Sequence, residues 1–227
     1  MGRKADGPFD LAIFDLDGVL VDSEPISSRV TAAALTEAGI EISAADVCDR
    51  FLGVSTASML GAIEAEHGCR LPASFQESLR ARILKAFEHE LEAVPGVPAL
   101  LAALPVDRCV ASSSHPERIR RSLELAGLLE RLAPNLFSAA MVNAGKPAPD
   151  LFLLAAARMA TEPTRCLVVE DSEVGIRAAK AAGMTVFGFT GASHVHPKTH
   201  APRLQAAGAD AVFAEMPALV GLMGRID

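Results

Sequence analysis

The sequence predicts an α/β protein in which a parallel sheet carries an inserted all-helical segment. From Asp107 onward, short apolar runs alternate with segments of helical periodicity, a pattern that favours a parallel sheet covered by helices on both faces. Between the first strand and Pro95, the chain shows helical periodicity without a convincing strand. With 227 residues, 50% of them hydrophobic, the chain can bury the core of one domain that carries an insertion.

The elements follow from this pattern in chain order. The first strand lies in the run of residues 9–20 and ends at Asp15. The predicted helices of the insertion are residues 25–38, 43–51, 56–67 and 72–90. Beyond it, the predicted strands are residues 108–111, 165–169, 184–189 and 211–213, and the predicted helices are residues 116–126, 150–160 and 173–182. We therefore expect residues 1–22 and 92–227 to form the sheet domain and residues 23–91 to form a helical domain.

Local signals support two of the helix boundaries. Ser114 and Glu117 have the spacing of a capping box, and Pro116 stands at the first helical position. Gly183 follows an alanine-rich helix and is expected to terminate it.

Composition excludes several classes of function. The net charge of −7 argues against nucleic-acid binding, which usually needs a clustered basic surface. No apolar run approaches membrane-spanning length, and the polar start, residues 1–6, does not resemble a signal sequence. The four cysteines form no Cys-x-x-Cys pair, so neither a disulfide framework nor a cysteine metal site is expected. We expect a cytoplasmic protein that is a monomer, with a dimer as the alternative.

Polar residues follow the predicted strands where each strand ends. Asp15 and Asp17 are two apart at the end of the first strand, so their side chains can converge on one ligand. The run ending at Ala111 is followed by Ser112, and the run ending at Val169 is followed by Glu170 and Asp171. Since ligands of parallel sheets bind beyond the carboxyl ends of the strands, these side chains should share one crevice.

A lysine is expected to join this crevice. Lys146 precedes two prolines, Pro147 and Pro149, which forbid helix and fix a loop before the helix at Asp150. Each residue also has a purely structural interpretation: Ser112 as a turn serine, Lys146 as a solvated loop residue, and Glu170 or Asp171 as a helix N-cap.

These residues in this order resemble a known set of motifs. The motifs are Asp15-Leu16-Asp17-Gly18, Ser112, Lys146-Pro147 and Glu170-Asp171. They are similar to the four ordered motifs of the haloacid dehalogenase-like superfamily, and the resemblance extends from about Phe9 to the last helix. The helical insertion resembles the first type of cap, found in β-phosphoglucomutase-like proteins and sugar-phosphate phosphatases. The resemblance implies a Rossmann-like core, Mg²⁺ as cofactor and an aspartyl-phosphate intermediate.

The residue types suit phosphoryl transfer from a small phosphorylated substrate. Asp15 is the expected nucleophile, and Asp17 is the expected proton carrier, a role that favours a raised carboxyl pKa. Lys146 would supply positive charge, while the Ser112 hydroxyl and the Ser113 amide would donate to phosphate oxygens. Mg²⁺ would be held by Asp15 and Asp171, with help from Glu170 and the backbone carbonyl of Asp17.

Differences from relatives narrow the expected activity. Asp17 has no counterpart in haloacid dehalogenases, so it favours phosphate over carbon–halogen chemistry. Ser27 and Thr56 stand where β-phosphoglucomutases have a histidine and an arginine. Hydrolysis is therefore favoured over phosphomutase activity, which remains the alternative among enzymes. A phosphate-ester binding or regulatory protein is the alternative outside enzymes.

The substrate is expected to be a sugar phosphate or a sugar-acid phosphate. The loop around Arg50 and Gly53 resembles the specificity loop of the family, where a glycine allows close approach and a basic residue can meet an anionic group. Arg50 can equally lie on a solvated helix face. The cap and residues 91–104 are similar to bacterial phosphatases of this kind, including the 6-phosphogluconate type.

Three histidines near the C-terminus have two interpretations. His194, His196 and His200 are close enough in sequence to share a transition metal. The segment nevertheless has the composition of a polar loop after a strand, so surface histidines are expected. The position beyond a strand end would still allow His194 to reach the rim of the crevice.

Overall fold

A parallel six-stranded sheet forms the centre of the protein. The computed structural model describes residues 7–225; the polar start, residues 1–6, and residues 226–227 lie outside the described residues. The strands are β1 (Leu11–Phe14), β2 (Asp107–Ser112), β3 (Leu136–Ser138), β4 (Cys166–Glu170), β5 (Thr185–Phe189) and β6 (Ala211–Phe213). They pair in parallel in the order β3-β2-β1-β4-β5-β6. The expected Rossmann-like α/β fold class is confirmed.

Eleven α-helices accompany the sheet in the described part of the chain. Between β1 and β2 lie α1 (Glu24–Glu37), α2 (Ala44–Phe51), α3 (Thr56–His67), α4 (Phe75–Glu90) and α5 (Val97–Ala103). The remaining helices are α6 (Pro116–Leu125), α7 (Leu129–Leu132), α8 (Asp150–Arg158), α9 (Glu173–Ala181), α10 (Pro197–Ala207) and α11 (Leu219–Met223). None of these helices is long and apolar enough to cross a membrane.

The central strand divides its side chains between the two faces of the sheet. Leu11 and Ile13 belong to a core cluster that includes side chains of α8, α9 and α10. Ala12 and Phe14 belong to the opposite cluster, which includes side chains of α5, α6, α11 and the helices α1–α4. The alternation follows the two-residue period of a strand. Because β1 is buried on both faces, its sequence is continuously apolar.

The helices α1–α4 connect to the sheet through two adjacent chain segments. Val21 and Ala93 form an isolated antiparallel bridge. Beside it, the Asp22 amide donates to the Glu92 carbonyl at 3.0 Å, and the Val94 amide donates to the Leu20 carbonyl at 3.0 Å. These bonds hold the outgoing and returning chain together just beyond the end of β1.

Five elements differ from the sequence-based expectation. Strand β3 and helices α5, α7 and α11 were not predicted; β3 has only three residues and α7 only four, too few for a periodic signal. Helix α10 begins at Pro197, inside the segment expected to be a loop. Its Leu204 is buried against Gly188 of β5, where an added Cβ would lie 2.8 Å from the Leu204 side chain. Packing on the sheet therefore stabilises α10, although its two prolines, Pro197 and Pro202, argue against a helix in the sequence.

Candidate active site

A cavity of about 460 Å³ lies between the carboxyl ends of the strands and the helices α1–α4. Its lining includes six of the predicted site residues: Asp15, Asp17, Gly53, Ser112, Ser113 and Lys146. Glu170 and Asp171 are buried behind it. This volume is in the range of about 300–1,000 Å³ that is typical of small-ligand sites.

Asp15 and Lys146 form a buried ion pair. Lys146 Nζ donates to Asp15 Oδ1 at 2.7 Å and to Glu170 Oε1 at 2.5 Å, and its side chain is 1% exposed. Burial raises the pKa of Asp15 well above its usual value, and the Glu170 charge adds to this, while Lys146 opposes it. Burial lowers the pKa of Lys146, but the two carboxylates more than compensate and raise it overall. Lys146 is therefore a fixed cation and not a solvated loop residue.

Glu170 positions this lysine. Its second oxygen, Oε2, accepts from the Ser172 amide at 3.0 Å and from the Ser172 hydroxyl at 2.9 Å. The Ser172 hydroxyl in turn accepts from the Gly175 amide at 3.1 Å and caps α9. The alternative that Glu170 or Asp171 is the N-cap is thus wrong, because Ser172 occupies that position.

The acidic residues have the properties of a divalent-cation site. Carboxylate oxygens of Asp15, Glu170 and Asp171 all lie within 4.8 Å of one another. Asp171 Oδ2 is buried without a hydrogen-bond partner among the described residues. Burial, followed by the Glu170 charge, raises the pKa of Asp171 well above its usual value. Three buried carboxylates beside one ammonium group fit a hard cation that prefers oxygen ligands.

The backbone approaches this cluster closely at Gly18. The residue has a φ of +75°, and an added Cβ would lie 1.9 Å from Asp171 Oδ2 and 2.8 Å from His194 Cε1. A side chain at this position would occupy the space beside the carboxylates. The absence of a side chain at Gly18 therefore allows the backbone turn after Asp17 to pass close to the carboxylate cluster.

Asp17 is held as a carboxylate by three donors. Its side chain accepts from the hydroxyls of Ser23 at 2.5 Å and Ser114 at 2.7 Å, and from Arg118 Nη2 at 2.6 Å. Burial raises the pKa of Asp17, but Arg118 and the serine hydrogen bonds outweigh it, so the pKa is lowered overall. The expectation of a raised Asp17 pKa is therefore wrong for this structure, because the sequence did not reveal the arginine.

The serines after β2 have separate contacts. Ser112 Oγ accepts from the Ser114 amide at 3.0 Å, so Ser112 makes a turn contact and also lines the cavity. The Ser113 hydroxyl donates to the Gly53 carbonyl at 3.1 Å. Helix α6 starts at Pro116 as predicted, but its N-cap is His115. The predicted capping box at Ser114 is wrong, since that hydroxyl binds Asp17 instead.

The two predicted residues of the insertion have different positions. Gly53 has a φ of +75° and contacts the core, where an added Cβ would lie 2.3 Å from Ser172 Oγ. Arg50 forms an ion pair with Glu66 and stacks on the Phe51 ring, 5.0 Å from its centroid. It borders a smaller cavity with Glu173 and Arg203 and does not line the main one. The structure therefore does not bring Arg50 together with Asp15.

Three further charged residues line the cavity and were missed from the sequence: Glu24, Arg80 and Arg118. Arg118 contacts Asp17 and also donates to the Ser27 hydroxyl at 3.0 Å. Its place in the first turn of α6 was a signal, because a cation there opposes the helix dipole and so suggests another partner. Glu24 lines the cavity at the start of α1. Burial, together with the Asp17 charge, raises its pKa to about 7.

The histidine segment lies against the acidic cluster. The His194 side chain is 2% exposed, and its Nε2 lies 3.1 Å from Asp171 Oδ2, although neither atom has a hydrogen bond of acceptable geometry within the described residues. His200 is buried and contacts the Asp171 backbone carbonyl. The expectation of surface histidines is wrong for His194 and His200. His194 lies beside Asp171, in keeping with the expected reach of this residue towards the crevice, and α10 carries His200 to the Asp171 carbonyl. His196 is exposed, as expected.

The comparisons identify the family. A family model described as haloacid dehalogenase-like hydrolase matches residues 9–183. A conserved haloacid dehalogenase-like protein of unknown function from Agrobacterium tumefaciens str. C58 has a similar structure, with a TM-score of 0.81, 42% identity and coverage of 95% of this chain and 97% of that chain. The protein therefore belongs to the haloacid dehalogenase-like hydrolases, as its four motifs predicted.

Two relatives have phosphatase names. A 6-phosphogluconate phosphatase of Escherichia coli (strain K12) is 35% identical over 194 residues, which cover 83% of this chain and 88% of the relative. Hexitol phosphatase B of the same strain is 30% identical over 181 residues, with coverage of 76% and 80%.

Proposed function

We propose that this protein is a phosphatase that uses Mg²⁺ to hydrolyse a small sugar phosphate or sugar-acid phosphate. The observation that carries the proposal is the Asp15 carboxylate, which lines the cavity 2.7 Å from Lys146 Nζ and beside the buried acidic cluster. The similarity to phosphatases of 6-phosphogluconate and hexitol phosphates supports the substrate class.

Hydrolysis would take place in two displacements. An Asp15 carboxylate oxygen attacks phosphorus, the ester P–O bond breaks, and the departing alkoxide takes a proton from Asp17. Water then attacks the aspartyl phosphate and gives its proton to Asp17, so that inorganic phosphate leaves and Asp15 is regenerated. The first step requires the protonated form of Asp17, and the proton taken from water in the second step restores that form for the next cycle. The hydrogen bonds to Asp17 favour its carboxylate, which is the form that the second step requires.

The remaining residues would stabilise the transferring group. Lys146 supplies positive charge next to the nucleophile, and the Ser112 hydroxyl and Ser113 amide donate to phosphate oxygens. Asp15, Asp171 and the Asp17 backbone carbonyl would hold Mg²⁺, with Glu170 in support. The bound ion would reduce the repulsion between Asp15 and an anionic phosphate.

We propose further that residues 23–91 act as a cap on a core formed by residues 1–22 and 92–227. The cavity between them takes its walls from both parts, and their two connections are adjacent at Val21 and Ala93. Motion about such a pair of connections would admit substrate and then exclude water. The proposed unit is a monomer whose partner is a small molecule, neither nucleic acid nor membrane.

Two alternative functions have less support. A phosphomutase must orient a second phosphate, whereas position 27 holds a serine bonded to Arg118 and position 56 holds a threonine. A protein that only binds phosphate esters would have no need of a proton carrier at Asp17.

The test is phosphate release from a panel of sugar phosphates and sugar-acid phosphates, with and without Mg²⁺ and a chelator. We expect Mg²⁺-dependent release that falls on the order of 10³-fold or more in Asp15→Asn, while the exposed control Asp49→Asn keeps full activity. Isomer exchange without phosphate release would identify a mutase. Tight binding without either reaction would identify a binding protein.

A further inference from the structure

Three arginine or lysine side chains line the cavity, and two of them already have acidic partners. Lys146 is paired with Asp15 and Glu170, and Arg118 is paired with Asp17. Arg80 also lines the cavity, but no described residue supplies it with a hydrogen bond or ion pair. Of these three side chains, Arg80 is therefore the one whose charge can bind a ligand without first losing a carboxylate partner.

Arg80 lies on the cap side of the cavity. It belongs to α4, where Gln76 one turn before it and Ile83 one turn after it line the same wall. Asp15 and Lys146 line the cavity from the core. A ligand with its phosphate at Asp15 would therefore present its other end to Arg80 and Gln76.

The acidic residue Glu24 does not neutralise Arg80. Glu24 lines the cavity from α1, and its charge interacts with Arg118, His194 and Asp17. On the other side of α4, Arg82 forms two hydrogen bonds with Glu37, at 2.7 and 2.9 Å. Neighbouring arginines on one helix thus differ, because Arg82 is paired on the surface and Arg80 faces the cavity unpaired.

A half-buried, unpaired guanidinium is best satisfied by a planar anion. Arginine binds carboxylates through two parallel hydrogen bonds, and the Gln76 amide can add a further donor. The phosphate of the substrate already has its proposed donors in Lys146, Ser112 and Ser113, so Arg80 is left for another group. We infer that Arg80 and Gln76 bind a carboxylate at the end of the substrate remote from the phosphate. The protein then prefers sugar-acid phosphates over neutral polyol phosphates of equal length; this inference rests on the proposed function.

The test uses two substrates that differ only at carbon 1. In 6-phosphogluconate this carbon is a carboxylate, and in sorbitol 6-phosphate it is a hydroxymethyl group. We expect Arg80→Gln to lower kcat/KM for 6-phosphogluconate about 10- to 100-fold, mainly through KM, since hydrogen bonds to a charged group are lost. Activity on sorbitol 6-phosphate should change less than about 3-fold. Arg80→Lys should recover part of the loss, and Arg82→Gln should change neither substrate.

A binding measurement separates this inference from the proposed function. Calorimetric titration of Asp15→Asn with both compounds, with and without Arg80→Gln, reports the carboxylate preference without turnover. An equal loss for both compounds, or an unchanged ratio of their affinities, would overturn the role of Arg80. Failure of the wild-type protein to release phosphate would instead overturn the proposed function, whatever the ratio of affinities.

Discussion

Asp15 is buried next to Glu170 and Asp171, and one ammonium group, that of Lys146, pairs with this set in the described structure. Each buried carboxylate loses hydration, so the set is costly unless further positive charge arrives. Burial, together with the neighbouring carboxylates, raises the pKa values of Asp15 and Asp171, and the same buried negative charge attracts a cation. At the scale of single residues, the burial of three carboxylates together both destabilises the site without a metal and allows it to bind one.

The sequence predicted the site residues that follow strands and missed those on helices. Asp15, Ser112 and Glu170 come directly after or at the end of apolar runs, so their common location follows from strand direction. Arg80 and Glu24 lie on helices of the insertion, whose packing over the strand ends is a tertiary property. No spacing rule distinguishes Arg80 from Arg82, although one faces the cavity and the other the surface.

Glu24 allows a prediction about stability and pH. Its pKa is about 7 in the folded protein against an ordinary value of 4.5, so the folded state binds this proton more tightly than the unfolded state. The cost of ionising Glu24 is therefore small at pH 5, grows as the pH rises towards 7, and is complete at pH 8. We expect Glu24→Gln to raise the free energy of unfolding by about 1–3 kcal/mol at pH 8 and by much less at pH 5.

Chemical denaturation at both pH values, with chelator present, measures this difference. Glu41→Gln is the matched control, because Glu41 is exposed on the insertion. Glu41→Gln should change the free energy of unfolding little at either pH, because the side chain is exposed. A Glu24→Gln effect of the same size at pH 5 and pH 8 would contradict the assigned environment of Glu24.

At the scale of elements, local sequence signals predicted most helices but not the elements on which they pack. Helix α6 starts at Pro116 and α9 is followed by Gly183, as the sequence indicated. Helix α10 escaped prediction because its stability comes from Leu204 packed on Gly188 of β5, which is distant in sequence. Helix α10 also carries His200 to the Asp171 backbone carbonyl, so a missed helix led directly to a missed neighbour of the site.

The loop between α2 and α3 allows a prediction about stability and activity. Its control is a glycine whose replacement should change the free energy of unfolding in the opposite direction. At Gly53 the φ of +75° disfavours any side chain, and an added Cβ would lie 2.3 Å from Ser172 Oγ, the hydroxyl that holds Glu170. We expect Gly53→Ala to lower the free energy of unfolding by about 1–2 kcal/mol through backbone strain. Since the loop must move away from the core, kcat/KM should fall about 10-fold or more.

Gly61 supplies the control, because it lies inside α3 with no atom within 4 Å of an added Cβ. Gly61→Ala should raise the free energy of unfolding by about 0.5–1 kcal/mol, since alanine favours helix, and should leave activity unchanged. Thermal unfolding and phosphate release of the two variants give both quantities. Full activity in Gly53→Ala would show that contact between this loop and the core is unnecessary.

At the scale of the whole molecule, the sheet brings chain segments that are distant in sequence to one edge. Asp15 follows β1, while Glu170 ends β4 and Asp171 comes next, and these two strands are hydrogen-bonded neighbours at the centre of the sheet. A cation held there would connect the two central strand ends. Because the unfolded chain offers no such cluster, the binding free energy of the ion would add to the stability of the fold.

This coupling gives a prediction for the metal. At a Mg²⁺ concentration about 100 times its dissociation constant, we expect a gain of about 2.7 kcal/mol, which corresponds to a rise in Tm of about 5–10 °C for a chain of this size. Asp171→Asn should abolish that rise. With chelator alone, the same variant should melt at or above the wild-type Tm, because it no longer carries a buried carboxylate whose pKa is raised.

Asp107→Asn is the matched control, since Asp107 is exposed at the opposite end of β2. It should keep the full Mg²⁺-dependent rise in Tm. The change in Tm caused by Asp171→Asn distinguishes a metal ligand from a residue that merely supports the fold. If Asp171 were structural, its replacement would lower Tm with chelator. If Asp171 is a metal ligand, its replacement should lower Tm only when Mg²⁺ is present. A Mg²⁺-dependent rise that persists in Asp171→Asn would locate the metal elsewhere.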